Sequence, residues 1–176
     1  MESVKEGRRA LQLQMSRAFV KESDGSEGEE LPELLVSPHR NLVTPAGLHQ
    51  IGATVERLQS ALSEARAAED RAAIARVQRD LRYWIQRLRT AEVVAAPEAS
   101  DTVRFGATVA LEKKDGERIE YQIVGEDEAD PAHGKISYVS PIARLLIGAS
   151  VGDITALVDG EAEIRKIACM ATETAY

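Results

Sequence analysis

Residues 44–94 read TPAGLHQ IGATVERLQS ALSEARAAED RAAIARVQRD LRYWIQRLRT AEVV, and the spacing of apolar residues in this stretch decides the fold. Leu48, Ile51, Val55, Leu58, Leu62 and Ala65 fall three, four, three, four and three residues apart. Ile74, Val77, Leu81, Trp84, Leu88 and Ala91 repeat that spacing. Side chains three and four residues apart share one face of a helix, so each set is a continuous apolar stripe. Two equal stripes close together in sequence predict an antiparallel coiled-coil hairpin over 44–94, packed through its a and d positions. The 3.5-residue period favours a left-handed coil. Thr44 is suited to cap the first helix and Pro45 to open it, since the first helical position needs no backbone N–H. An arm of about 22 residues is roughly 33 Å long at 1.5 Å per residue. A hairpin of that size is marginal alone, so a globular brace at its base is expected.

Outward from the hairpin, residues 1–43 read as a disordered acidic leader. The run from Lys21 to Glu30 is rich in Glu, Gly and Ser and has too little apolar surface to offset ordering entropy. The patch Leu31 to Val36 is apolar enough to dock on the folded part. Met15 reads like a start, which would make residues 1–14 an upstream extension. On the other side, residues 95–101 are a linker in which Pro97 stops any helix. From residue 102 the apolar period changes to two. Strands are expected at 107–112 and 117–124 around the turn Asp115-Gly116, at 135–139, and at 154–158 and 161–167 around Asp159-Gly160. Between them, Ser140 caps and Pro141 opens a short helix that Gly148 closes. Residues 102–168 therefore form an antiparallel sheet covered by one helix, and 169–176 are a flexible tail. The fold class is α+β.

Composition narrows the function. The chain has 176 residues and a net charge of −7, which argues against a surface that embraces a nucleic-acid backbone throughout. The charge is uneven. Residues 44–94 carry eight Arg against six acids, net +2, whereas 101–167 carry eight bases against thirteen acids, net −5. The lone Cys169 fits a reducing compartment, and no run of 18 apolar residues exists to span a membrane, so a cytoplasmic protein without a membrane partner is expected. His39, His49 and His133 lack metal-ligand spacing, and no phosphate loop or nucleophile–base pattern is visible. The acidic run Glu126 to Asp130 fits a polar loop between strands better than a metal site. The protein is thus expected not to be an enzyme and to need no metal or other cofactor.

The wording of the segments resembles the GreA/GreB family. The residues that carry the likeness are Thr44-Pro-Ala-Gly-Leu48, Val103-Arg-Phe-Gly-Ala-Thr-Val109, Ile123-Val-Gly-Glu-Asp-Glu-Ala-Asp130, Ser140-Pro-Ile-Ala-Arg-Leu-Leu-Ile-Gly148 and Val151-Gly-Asp153. The resemblance implies an FKBP-like second domain and core RNA polymerase as partner. In that picture the hairpin enters the secondary channel, the second domain grips its rim, and nucleic acid is met only through the polymerase complex. A monomer that regulates transcription elongation follows. It also implies Ser140, Pro141, Ile142, Ala143 and Arg144 as the polymerase-facing segment.

The hairpin tip departs from the family. Cleavage factors of the family have a longer coil and a tip loop of the type Gly-Asp-Leu-x-Glu-Asn, whose spaced acids help hold a catalytic Mg²⁺. Here the tip centres on Glu69, Asp70 and Arg71. Adjacent acids on a helix point about 100° apart and share one cation poorly. Asp70 also suits an ordinary helix cap. The shortened hairpin is similar to that of the nucleoside diphosphate kinase regulators, a polymerase-binding branch without cleavage activity. The reading is therefore a channel-binding regulator without strong stimulation of transcript cleavage. The alternatives are a true cleavage factor using the tip acids, and a coiled-coil docking module for some other protein. A prolyl isomerase would need an aromatic-lined pocket, for which the domain offers only Phe105, Tyr121 and Tyr138.

Overall fold

The computed structural model describes residues 31–95 and 100–169. The leader over 1–30, the linker residues 96–99 with Pro97, and the tail 170–176 lie outside the described residues.

Two long helices form the hairpin. Helix α1 spans Pro45–Ala67 and α2 spans Arg71–Arg89. Thr44 caps α1, its Oγ1 accepting from the Gly47 amide at 2.9 Å. The first apolar stripe lies where its spacing puts it, with Ile51, Val55, Leu58, Leu62 and Ala65 buried against α2 and Leu48 half-buried. The second stripe is only half-buried from Ile74 to Leu88. Trp84 is thus a partly exposed flank, not a core knob, with its ring edge-on to Tyr83 at 5.4 Å. Ala91 falls beyond α2 and ends the stripe one position early.

The leader's last residues are part of the fold. Leu42–Val43, strand β1, pairs in parallel with Glu92–Val93, strand β2, at the base of the hairpin. Val43 is fully buried there and Asn41 nearly so. Apolar burial and side-chain bonds at Asn41 and Thr44 compensate for the ordering entropy that the acidic composition upstream does not offset.

The second part is a five-stranded sheet with order β5-β4-β3-β7-β6. Its strands are β3 Ala107–Lys113, β4 Arg118–Val124, β5 Lys135–Ser137, β6 Ile154–Leu157 and β7 Gly160–Cys169. The sheet is mixed, which corrects the expectation of a purely antiparallel one: β5 runs parallel to β4. The cause is the connection over 125–134, two 3₁₀ turns at Glu126–Glu128 and Pro131–His133, which carries the chain back so that β5 begins opposite Gln122 and runs alongside the last residues of β4. Strand β7 also reaches Cys169, which pairs with Ala107, two residues beyond the expected strand end. A bulge at Arg165, opposite Ala110 and Leu111, bends β7.

Alternation along β3 buries Ala107, Val109 and Leu111 on one face. Helix α3, Pro141–Leu146, lies over that face and inserts Ala143 and Leu146, both fully buried. Val103, Ile123, Ile136, Ala162 and Ile164 complete the core. Among the described residues, no helix is long and apolar enough to cross a membrane.

Candidate functional site

Three surfaces carry the residues of interest: the seam between hairpin and sheet domain, the hairpin tip, and α3.

At the seam, Glu128 reaches the N-terminus of α1. Its Oε1 accepts from the Thr44 amide at 2.9 Å and the Gly125 amide at 3.2 Å, and its Oε2 accepts from the Thr44 hydroxyl. A carboxylate there meets the positive end of the helix dipole and satisfies backbone donors that the helix cannot. The approach is so close that a Cβ on Gly47 would lie 2.0 Å from the Glu128 Cδ, so any larger residue would push that carboxylate aside. One position earlier, Asp127 accepts from the Arg87 Nε at 2.5 Å and from the Tyr83 hydroxyl at 2.8 Å. Burial first, and then the bond to Asp127, push the Tyr83 phenol up to about 12. Asn41 donates to the Arg87 carbonyl at 2.6 Å and to the Thr90 hydroxyl at 3.1 Å. The acidic run expected to be a polar loop is therefore the bracket of the hairpin. Its signal in the sequence was the strength of the charge, three consecutive acids at 126–128 in an otherwise short connection. Its partners Arg87 and Thr44 lie 40 and 84 residues away and carry no local mark.

At the tip, α1 ends with the Asp70 amide donating to the Ala65 carbonyl and the Glu69 amide to the Arg66 carbonyl. This double closure requires a left-handed residue at Glu69, whose φ is 53°. Asp70 then caps α2, its Oδ1 accepting from the Ala73 amide at 2.9 Å. Glu69, Asp70 and Arg71 are all exposed; the two acids sit on the turn between the helices and Arg71 opens α2. Among the described residues, no group of three or more His, Cys, Asp or Glu side chains is placed to hold a metal.

On α3, the Ser140 hydroxyl accepts from the Ala143 amide at 3.2 Å and caps the helix. Ala143 faces the core, Ile142 is half-buried, and Pro141 and Arg144 face solvent. The five residues thus form one short element with an anchored side and an open side. Next to Arg144, Leu145, Ile147, Val151 and Ile154 are exposed apolar side chains on α3, the turn after it and β6. Sequence reasoning passed over these four, although a six-residue helix anchored by Ala143 and Leu146 must turn Leu145 outward. Phe105 and Tyr138 pack edge-on at 5.8 Å against the core, and Tyr121 also packs there.

Comparison with known proteins agrees with this build. The family model described as Transcription elongation factor, GreA/GreB, C-term matches residues 97–167. A GreB of Neisseria meningitidis serogroup B is 48% identical over 79 residues, 44% of this chain and 48% of that protein. A GreA of Maricaulis maris is 42% identical over 115 residues, 57% of this chain and 73% of that protein. The crystal structure of GreA factor homolog 1 (Gfh1) of Thermus thermophilus aligns over 74% of this chain and 99% of that one, with 26% identity and a TM-score of 0.36. The match spans about half the length of the curated relatives that head the comparison. The C-terminal part is of the GreA/GreB class, and in this chain a long helical hairpin precedes its small mixed sheet. The chain belongs to the GreA/GreB family.

Proposed function

We infer that this protein binds RNA polymerase at its secondary channel and regulates elongation without strongly stimulating transcript cleavage, and that it is not itself an enzyme. The open side of α3 carries the reading. Arg144 stands exposed on α3, and Leu145, Ile147, Val151 and Ile154, all within ten residues of it, are exposed apolar side chains. An apolar centre with a charged rim is how protein interfaces are built. In this reading Ser140, Pro141, Ile142, Ala143 and Arg144, in an FKBP-like domain, meet the channel's rim, and Ala143 and Ser140 act by holding the element in shape. The hairpin enters the channel with exposed Arg57, Arg66, Arg71, Arg76 and Arg89 interspersed with exposed acids, on a segment of net charge +2. Glu69, Asp70 and Arg71 lead. The protein acts as a monomer in the cytoplasm.

The experiment is a binding titration with core polymerase at moderate salt, using wild type and Arg144→Glu. Saturable binding at micromolar concentration is expected for wild type. The variant is expected to bind roughly 5- to 100-fold more weakly, the range for a charge lost at an interface, with an unchanged fold by circular dichroism. Absence of wild-type binding overturns the function. Equal affinity of the variant removes Arg144 from the contact.

A further inference from the structure

Residues 31–44 cross the seam and bond alternately to its two sides. Towards the hairpin, Glu33 pairs with Arg82, Arg40 pairs with Glu92, and Asn41 donates to the Arg87 carbonyl. Towards the sheet domain, the Ser37 hydroxyl donates to Glu126 at 2.9 Å, the Tyr138 hydroxyl donates to the Arg40 carbonyl at 2.5 Å, and Thr44 is held by Glu128. A segment stitched to both parts restrains the angle between them.

The hold is graded along its length. Asn41, Val43 and Thr44 are buried and belong to the fixed base. Before them, Leu34 and Leu35 are exposed and Leu31 and Val36 are only half-buried, so residues 31–40 insert no fully buried apolar side chain. The ion pairs there are exposed on both partners, a kind that contributes little and weakens with salt. Among the described residues, the buried oxygens Asn41 Oδ1 and Glu126 Oε2 have no hydrogen-bond partner, which subtracts from the segment's hold.

We propose that residues 31–40 are a detachable strap that fixes the direction in which the hairpin leaves the sheet domain and frees that direction when it lifts. Without the strap, the seam keeps Arg87–Asp127, Tyr83–Asp127 and Thr44–Glu128, which lie close together at the base of the hairpin. Contacts confined to a small area resist tilting poorly. A tilt of about 10° at the base moves the tip of a helix the length of α1 by about 6 Å, at 1.5 Å rise per residue. The strap therefore controls where Glu69, Asp70 and Arg71 are presented.

The test uses the full chain with Cys169→Ser and spin labels at Ala72→Cys near the tip and Val158→Cys at the exposed β6–β7 turn. Double electron–electron resonance reads the tip-to-domain distance, and amide hydrogen exchange over 31–40 reads the strap. The wild-type strap gives a narrow distance distribution. In Glu33→Ala/Ser37→Ala/Arg40→Ala the strap amides exchange at least tenfold faster and the distribution widens by several ångströms, while circular dichroism and exchange in the sheet stay unchanged. Freed strap amides with an unchanged distribution overturn the proposal, as do wild-type strap amides that exchange like an unfolded chain. Strap amides that stay protected in the triple variant overturn it too. Should the triple variant unfold, Glu33→Ala/Ser37→Ala is read by the same criteria. No arm involves polymerase, so the outcome is independent of the proposed function.

Discussion

Arg87 and Asp127 form a buried ion pair across the seam, with the guanidinium Nε 2.5 Å from Oδ2 and the two side chains 2% and 8% exposed. Asn41 bonds the backbone carbonyl of the same arginine, and Tyr83 bonds the other oxygen of the same carboxylate. One charge pair thus joins α2, the residues before β1 and the turn after β4.

Removing one partner leaves the other buried and uncompensated. Asp127→Ala is expected to lower stability by about 3–5 kcal/mol in urea unfolding, because it leaves the buried Arg87 charge without the carboxylate it pairs with. Arg87→Met/Asp127→Leu is expected to cost far less, since both desolvation penalties vanish together. A double variant as unstable as the single one would mean that the seam depends on the charges themselves.

Gly47→Ala sets two effects against each other. Alanine in a helix interior is favoured over glycine by about 1 kcal/mol. The added Cβ, however, would overlap the Glu128 carboxylate at 2.0 Å and expel it from Thr44 and Gly125. Overpacking costs about 1–3 kcal/mol and each bond of a charged group about 1.5–3, so the clash wins. A net loss of about 2–4 kcal/mol is expected from thermal unfolding. A gain in stability would show that Glu128 moves aside freely.

The tip contains the opposite case. Glu69 holds a φ of 53°, a conformation that costs a residue with a Cβ about 1 kcal/mol and glycine almost nothing. Glu69→Gly is expected to raise stability by up to about 1 kcal/mol, and Asp70→Ala to lower it by about 1 kcal/mol through loss of the cap on Ala73. Equilibrium unfolding reads both. Unchanged stability in both would place the tip outside the cooperative unit.

Tyr83 makes the seam sensitive to alkali. Its folded value of about 12 lies above the ordinary phenol value, so the fold prefers the neutral form. The sign follows from linkage: stability is fully present below about pH 10 and is lost as pH rises from about 10 to 12. Two pH units correspond to about 2.7 kcal/mol, and solvent at this half-buried ring reduces that to about 1. Tyr83→Phe is expected to show a shallower fall in stability over that window. Parallel curves would mean that ionisation of Tyr83 is not coupled to folding.

What could be read from sequence was what is periodic or local. The stripe from Ile51 to Ala65 gave α1 its buried face, and Asp115-Gly116 and Asp159-Gly160 marked two hairpins that the sheet contains. Ser140 and Asp70 capped the helices after them because capping needs only neighbouring residues. Long-range pairing left no such trace. The parallel β4–β5 pair depends on how the turns at 126–133 fold, and the order at Asn41 to Thr44 depends on α2 and Glu128. The apolar patch of Leu145, Ile147, Val151 and Ile154 was masked by its composition: apolar residues in a short helix read as core until the face is known.

The last expectation concerns chemistry at the tip. Helix α1 has 23 residues and α2 has 19, so the hairpin extends about 34 Å on one side and about 29 Å on the other at 1.5 Å per residue. A family member with a longer coil, anchored at the same rim, reaches further. A Mg²⁺ ion demands oxygen ligands at about 2.1 Å, so a tip that stops even a few ångströms short contributes no ligand, and Coulomb attraction does not replace direct contact. Of the two tip acids, Asp70 already accepts from the Ala73 amide, and Glu69 stands between Arg66 and Arg71, whose charges oppose cation binding. Added to backtracked polymerase complexes, the protein should leave RNA cleavage near its unassisted rate, and Glu69→Ala/Asp70→Ala should behave the same. It should also slow cleavage stimulated by a longer family factor, in proportion to its occupancy of the shared site. Strong acceleration by wild type that disappears in the double variant would place the tip at the catalytic metal and contradict the length argument.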